Sequence, residues 1–201
     1  MPTERQYNIL LIDEDEERAH AFKQALSESR YKIVHLQSPM QNLLKQVDTI
    51  QPDIIVIDIE SPSRDILESL HTMSRFAPKP VVMFSDEEDT EVINQSVRSG
   101  VSAYIVGDTE PKRVRSILDA AVARFTEFQR LKQELDDTKQ ALETRRVVDQ
   151  AKSLLMEQRG LTEKDAYNAL RKMAMDAGQR MEDVAKTLIS VLTNLDLGGR
   201  Q

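Results

Sequence analysis

Pro52 to Pro62 read PDIIVIDIESP, and the apolar run Asp53–Ile57 within it leads directly into Asp58. A short, near-continuous apolar run suits a strand covered on both faces, the setting of a parallel sheet. Similar runs recur on either side, at Tyr7–Ile12 (YNILLI), Lys32–Leu36 (KIVHL), Pro80–Phe84 (PVVMF) and Ser102–Val106 (SAYIV). Stretches of helical length separate them. Glu16–Ser29 is apolar at Ala19, Phe22, Ala25 and Leu26, and Arg64–Phe76 at Ile66, Leu67, Leu70 and Met73. Five strands alternating with helices predict a parallel sheet with helices on both faces, whose working site lies at the carboxyl ends of the strands.

Those ends carry the chemistry. Strand one ends in Asp13-Glu14-Asp15, strand three in Asp58, strand four in Ser85, and strand five at Val106-Gly107-Asp108. Carboxylates crowded together repel unless a cation sits among them, and a hard ion such as Mg²⁺ suits one or two carboxylates plus phosphate oxygens. The pattern therefore predicts an acidic Mg²⁺ pocket with Asp58 as phosphate acceptor. Each acid taken singly also fits the cap of a following helix. Their recurrence at the expected strand ends favours the pocket.

Residues 1–125 resemble the receiver domain of two-component response regulators, through ILLIDEDEERA, PDIIVIDIESP, PVVMFS and GVSAYIV. The resemblance implies a flavodoxin-like α/β fold, with Asp13, Glu14 and Asp58 around Mg²⁺ and Asp58 as phosphoacceptor. It also implies Ser85 as the hydroxyl switch and Tyr104 as the switch aromatic. Two positions depart from the family. Gly107 stands where a lysine is expected, and Asp86 replaces a small residue and opens a run of acids through Asp89. A cation beside an aspartyl phosphate offsets its charge. Gly107 supplies none, and Lys112 falls at the expected start of the next helix, so the phosphate machinery reads as partly dismantled.

Composition bounds the rest. The chain has 201 residues, 40% hydrophobic and 30% charged, enough for one domain and a smaller module. It contains no cysteine, which excludes disulfides, thiolate zinc sites and cysteine nucleophiles. His20, His35 and His71 are scattered singly and suggest no metal site. No apolar run is long enough to cross a bilayer, and the expectation is a cytoplasmic protein without membrane attachment. The net charge of −7 belongs to residues 1–125, with 14 basic and 21 acidic side chains, whereas residues 126–201 carry 13 of each. A strongly basic nucleic-acid footprint is missing, so any such binding depends on local placement of charge.

From Pro111 the pattern predicts one long helix. Ile117, Ala121, Phe128, Leu131, Leu135 and Leu142 follow a three-then-four spacing, interrupted at Arg124 and Thr138. That spacing suggests a coiled-coil linker over 111–145, about four heptads long, joining two copies in parallel. A helix folded back on its own chain is the alternative. Beyond it, over 146–201, three short helices are expected: Val147–Arg159 closed by Gly160, a Thr162-capped helix reaching about Ala177, and Glu182–Leu195 before Gly198-Gly199. Leu155, Met156, Ala166, Leu170, Met173, Ala174, Val184, Ala185 and Leu188 are its candidate core.

Val147 to Ile189 resembles the ANTAR domain, an RNA-binding antitermination module, through AKSLLMEQRGLTEKDAY, LRKMAM and RMEDVA in order. With the receiver-like half, the chain resembles NasT-type response regulators. The resemblance implies a dimer that holds paired hairpins of a leader RNA, controls nitrate and nitrite assimilation genes, and is restrained by a nitrate-sensing regulatory protein. Sequence-specific RNA recognition places basic groups on the backbone and planar groups beside exposed bases. Lys152, Arg171 and Lys172 lead the candidates, followed by Arg159 and Arg180, with Tyr167 able to stack. On this reading the protein is regulatory and not an enzyme. Two alternatives stay open: a phosphorylation-dependent DNA-binding response regulator, disfavoured because no basic recognition helix is evident, and an interaction protein that touches no nucleic acid.

Overall fold

The computed structural model describes residues 6–26, 30–36, 43–107 and 110–198. Ser29, Asp108 and Gly199, named above at the ends of expected elements, lie outside them. The strands are β1 (Tyr7–Asp13), β2 (Tyr31–Leu36), β3 (Ile54–Ile59), β4 (Val81–Ser85) and β5 (Ala103–Val106). The helices are α1 (Glu16–Ala25), α2 (Leu43–Ile50), α3 (Arg64–Phe76), α4 (Thr90–Arg98), α5 (Pro111–Arg159), α6 (Glu163–Ala177) and α7 (Met181–Gly198). Two compact units result, 1–129 and 130–201.

The first unit is a five-stranded parallel sheet in the order β2-β1-β3-β4-β5, the flavodoxin-like arrangement. Strand side chains alternate between faces, and the packing follows that alternation. Ile9 and Leu11 of β1, with Ile54 and Val56 of β3, join Ala19 and Phe22 of α1 and Val114, Leu118 and Ala121 of α5 in one core. Leu10, Ile12, Ile55 and Ile57 point the other way, to Leu43 and Val47 of α2 and Ile66, Leu70 and Met73 of α3. Arg30 and Tyr31 at the start of β2 both bond Asp119 of α5, at 2.8 and 2.5 Å. The Arg30 guanidinium also stands over the Tyr7 and Tyr31 rings. Burial raises the Asp119 carboxyl, but its bonds from Tyr31 and Arg30 outweigh that effect and hold it below the usual range.

In the second unit, Val147, Ala151 and Leu155 of α5, Ala166, Leu170 and Ala174 of α6, and Val184 and Ala185 of α7 form one core. Thr162 caps α6, and its Oγ1 accepts from the Asp165 N–H at 3.2 Å. Gly178, at φ 61°, closes the same helix in the left-handed conformation that glycine adopts without strain.

Three expectations need correction. The linker and the first helix of the second unit are not separate, because α5 runs unbroken from Pro111 to Arg159; no glycine or proline follows Pro111 to interrupt it before Gly160. Ala121 does not belong to a free seam, being buried in the core of the first unit with Ile117 packed beside it. The exposed apolar seam is therefore Phe128, Leu131, Leu135 and Leu142, shorter than four heptads. Met156 is an exposed residue, and Leu155 beside it takes the inward position.

Leu118 is fully buried, so Leu118→Ala should lower the unfolding free energy by about 2–5 kcal/mol, read from urea denaturation followed by circular dichroism.

Candidate functional site

Parallel register brings the acids together. Asp13 of β1 lies directly beside Asp58 of β3, and alternation puts both on the face shared by Ile9, Leu11, Ile54 and Val56, the face that α1 covers. Asp13 is 1% exposed and Asp58 16%. Two carboxylates this close and this buried require a counter-charge.

Arg18 supplies it. Its Nη2 donates to Asp13 Oδ1 at 2.7 Å and its Nε to Asp13 Oδ2 at 3.1 Å, a bidentate pair, while Nε also stands 3.3 Å from Asp58 Oδ1. The hydrogen bonds to Asp13, reinforced by the negative charge of Asp58, push the guanidinium further into its charged form. Local geometry aims it there. Asp15 caps α1, accepting from the Glu17 and Arg18 N–H groups at 2.8 and 3.1 Å, and those bonds hold its carboxyl below the usual range. Arg18 is thus the third residue of the helix, and helical side chains lean toward the N-terminus, here toward the strand ends. The Asp13 carboxylate also accepts from the Asp15 N–H at 2.9 Å, and a His35 ring nitrogen lies 3.0 Å from the Asp13 carbonyl oxygen.

The apolar periodicity of α1 does not single out Arg18. A cation in the first turn of a helix opposes the helix dipole, and that oddity is the signal that could have found it. Glu14 lines the same cleft with Asp58 and Glu60. Among the described residues, however, no group of three or more carboxylate or imidazole side chains is placed to hold a metal ion. Of the expected ligand set Asp13, Glu14 and Asp58, the Arg18 guanidinium bonds Asp13 and stands 3.3 Å from Asp58. Their hard oxygen chemistry suits Mg²⁺.

The hydroxyl pair is anchored to loop backbone. Buried Ser85 Oγ donates to the Glu60 carbonyl at 2.8 Å and accepts from the Glu87 N–H at 3.2 Å. Tyr104, packed against the second face of the sheet, donates from its hydroxyl to the Glu87 carbonyl at 3.0 Å. Both side chains thus hold the loop after β4. Gly107 donates its N–H to the Ser85 carbonyl at 3.0 Å with φ at 73°. An added Cβ would find open space there but an unfavourable backbone. Lys112 is paired with its neighbour Glu110 at 3.1 Å.

The basic candidates of the second unit divide. Lys152 is 15% exposed, and its ammonium bonds Asp149 and Glu163 at 2.8 Å each, tying α5 to the first turn of α6. Those carboxylates raise its pKa, the Asp149 bond most. Arg159, Arg171, Lys172 and Arg180 are exposed, and none is in an ion pair among the described residues. Tyr167, Arg171 and Met175 stand one helical turn apart along α6, all exposed, with Lys172 adjacent.

The response regulator receiver domain family matches residues 9–119, and the ANTAR domain family matches residues 136–189. The transcriptional regulatory protein PdtaR of Mycobacterium tuberculosis is 28% identical over 184 residues, covering 91% of this chain and 90% of that one. A nitrate regulatory protein of Klebsiella oxytoca is 48% identical over 65 residues, 32% of this chain and 16% of its own. Among solved structures, a CheY-like response regulator receiver domain protein from Methanospirillum hungatei superposes with a TM-score of 0.53 at 19% identity, covering 61% of this chain and 98% of that one.

The backbone at Gly107 sets a test. Restoring the lysine expected there by Gly107→Lys should cost about 1–2 kcal/mol of stability, the penalty of a side chain in the left-handed region, measured by urea denaturation.

Proposed function

The chain belongs to the response regulators, with a receiver domain followed by an ANTAR domain, and from that premise we propose that it is an RNA-binding transcription antiterminator. The observation that carries the reading is the exposed face of α6. There Tyr167 and Met175 offer planar and apolar surface, and Arg171 and Lys172 offer charge with no carboxylate already paired to it. A stacking ring beside free cations suits unpaired bases in an RNA loop. Lys152 moves from direct contact to positioning, since its charge is committed to holding α5 and α6 together.

The target is a leader RNA with paired hairpins, held by a homodimer. Phe128, Leu131, Leu135 and Leu142 are spaced three, four and seven residues apart on a solvent-exposed stretch of α5, which favours a second copy as the covering surface. The short similarity to a nitrate regulatory protein supports nitrate or nitrite assimilation genes as the controlled set, with a nitrate-sensing protein docking on the receiver. We assign residues 1–125 to the receiver, 111–145 to the linker and 146–201 to the RNA-binding unit. Asp58 remains the phosphoacceptor position, with Ser85 and Tyr104 as its switch pair. The oxygen chemistry of Asp13, Glu14 and Asp58 supports Mg²⁺ as the ion this pocket would take, although Gly107 argues against phosphate as the main control.

The deciding experiment titrates the full chain, without a partner, against a two-hairpin leader RNA and against duplex DNA of the same sequence. RNA-selective binding, unchanged by Asp58→Asn, is the expected result; equal binding to DNA would support the alternative DNA-binding reading. Arg171→Ala should weaken RNA binding by about tenfold, within the range for loss of a stacking or charged contact, and Lys172→Ala should lower the salt slope by about one. If both variants bind as the parent does, the α6 face is not the interface. Sedimentation should show a dimer that Leu135→Asp converts to monomer.

A further inference from the structure

The acidic pocket holds a cation of its own. Besides Arg18, the cleft at the strand ends is bordered by Glu14, Asp15, Glu17, Asp58 and Glu60, and Arg18 is the single basic side chain among its described lining residues. The guanidinium engages both oxygens of Asp13 and approaches Asp58 Oδ1, the same carboxylates that a divalent ion would need. Arg18 also keeps 40% of its side chain exposed, so it can leave toward solvent without opening the core.

We propose that Arg18 is the resident counter-ion of this pocket, and that a divalent cation gains Asp13 and Asp58 only by displacing its guanidinium. The proposal rests on reading the pocket as that of a receiver, and it adds how the pocket is kept closed. Arg18 and a divalent cation compete directly, because each neutralises the same two carboxylates and a guanidinium among the ligands of a metal repels it. The position of Arg18 agrees with this role. In the first turn of α1 its charge opposes the helix dipole, and the two strand-end carboxylates, with Asp15 beside them, make that placement favourable. The surrounding acids would otherwise draw cations in, so Arg18 converts an acidic cleft into a site that is electrostatically satisfied at rest. A receiver closed in this way is suited to control by a docking protein, which needs no phosphoryl group to act.

The test is an isothermal titration of the full chain with MgCl₂, repeated with Arg18→Met and Arg18→Lys. Arg18→Met should bind Mg²⁺ at least about tenfold more tightly than the parent chain, since a like charge within a few ångströms is removed. Arg18→Lys keeps the charge but loses the bidentate fork, and it should fall between the two. Because Arg18→Met leaves two neighbouring carboxylates uncompensated, it should also melt lower without Mg²⁺ and recover more than the parent when Mg²⁺ is added. Mg²⁺ affinity of Arg18→Met equal to or weaker than the parent's overturns the proposal. Should Arg18→Met fold only with Mg²⁺, the proposal is supported. Should it fold at no Mg²⁺ concentration, Arg18→Lys decides, and an affinity no tighter than the parent's overturns it. The titration contains no RNA, so its outcome is separable from that of the leader-RNA experiment.

Discussion

The side-by-side pairing of Asp13 with Asp58 is the constraint around which the receiver is arranged. Parallel strands with a fixed register leave no freedom here: once Ile9 sits opposite Ile54, the two aspartates must meet four residues later on the same face. Their burial makes the repulsion costly, and some positive group has to be provided by whatever covers that face. The element that covers it is α1. The Asp15 cap fixes where α1 begins, the beginning fixes which residue leans back over the strand ends, and that residue is Arg18. One capping aspartate therefore determines the electrostatics of a pocket it does not itself neutralise.

This arrangement changes the meaning of Gly107. In the sequence the absent lysine reads as a site that has lost its cation. In the structure the pocket has a cation, delivered from α1 rather than from the end of β5. Position 107 is instead used for backbone: its N–H closes onto the Ser85 carbonyl at positive φ, next to the hydroxyl pair that pins the loop after β4. Charge compensation and loop anchoring, which a single lysine could combine, are here carried by different residues on different elements.

The strands were legible because a parallel sheet buried on both faces leaves long apolar runs, and each expected run lies within a residue or two of its observed strand. Arg64–Phe76 was legible to the residue, since Ser63 caps it and its apolar positions recur at helical spacing. Asp13, Asp58 and Ser85 could be named from their places at strand ends, and Tyr104 from the resemblance to receiver domains. Arg18 could not be named by apolar periodicity, because its importance depends on a partner forty residues away and on the direction in which a helical side chain leans. The roles of Lys152 and Arg171 were equally closed to sequence, where both are basic residues on amphipathic helices. What separates them is Glu163, eleven residues after Lys152, which comes within 2.8 Å only once α6 folds against α5.

Helix α5 poses the remaining physical question. Its first turns are secured by Val114, Leu118 and Ala121 in one core and its last by Val147, Ala151 and Leu155 in another. Between them nearly every residue is exposed, and the support within the helix consists of surface pairs such as Arg130 with Glu134 and Gln133 with Asp137. Such pairs stabilise a helix by only about 0.2–0.5 kcal/mol each, and most of a helix's stability in a protein comes from packing of an apolar face. Yet the segment contains neither glycine nor proline and exposes four large apolar side chains in register. A stretch selected only as a spacer would gain nothing from Phe128, Leu131, Leu135 and Leu142. A stretch that is completed by an identical helix would bury them, the arrangement that the proposed dimer requires.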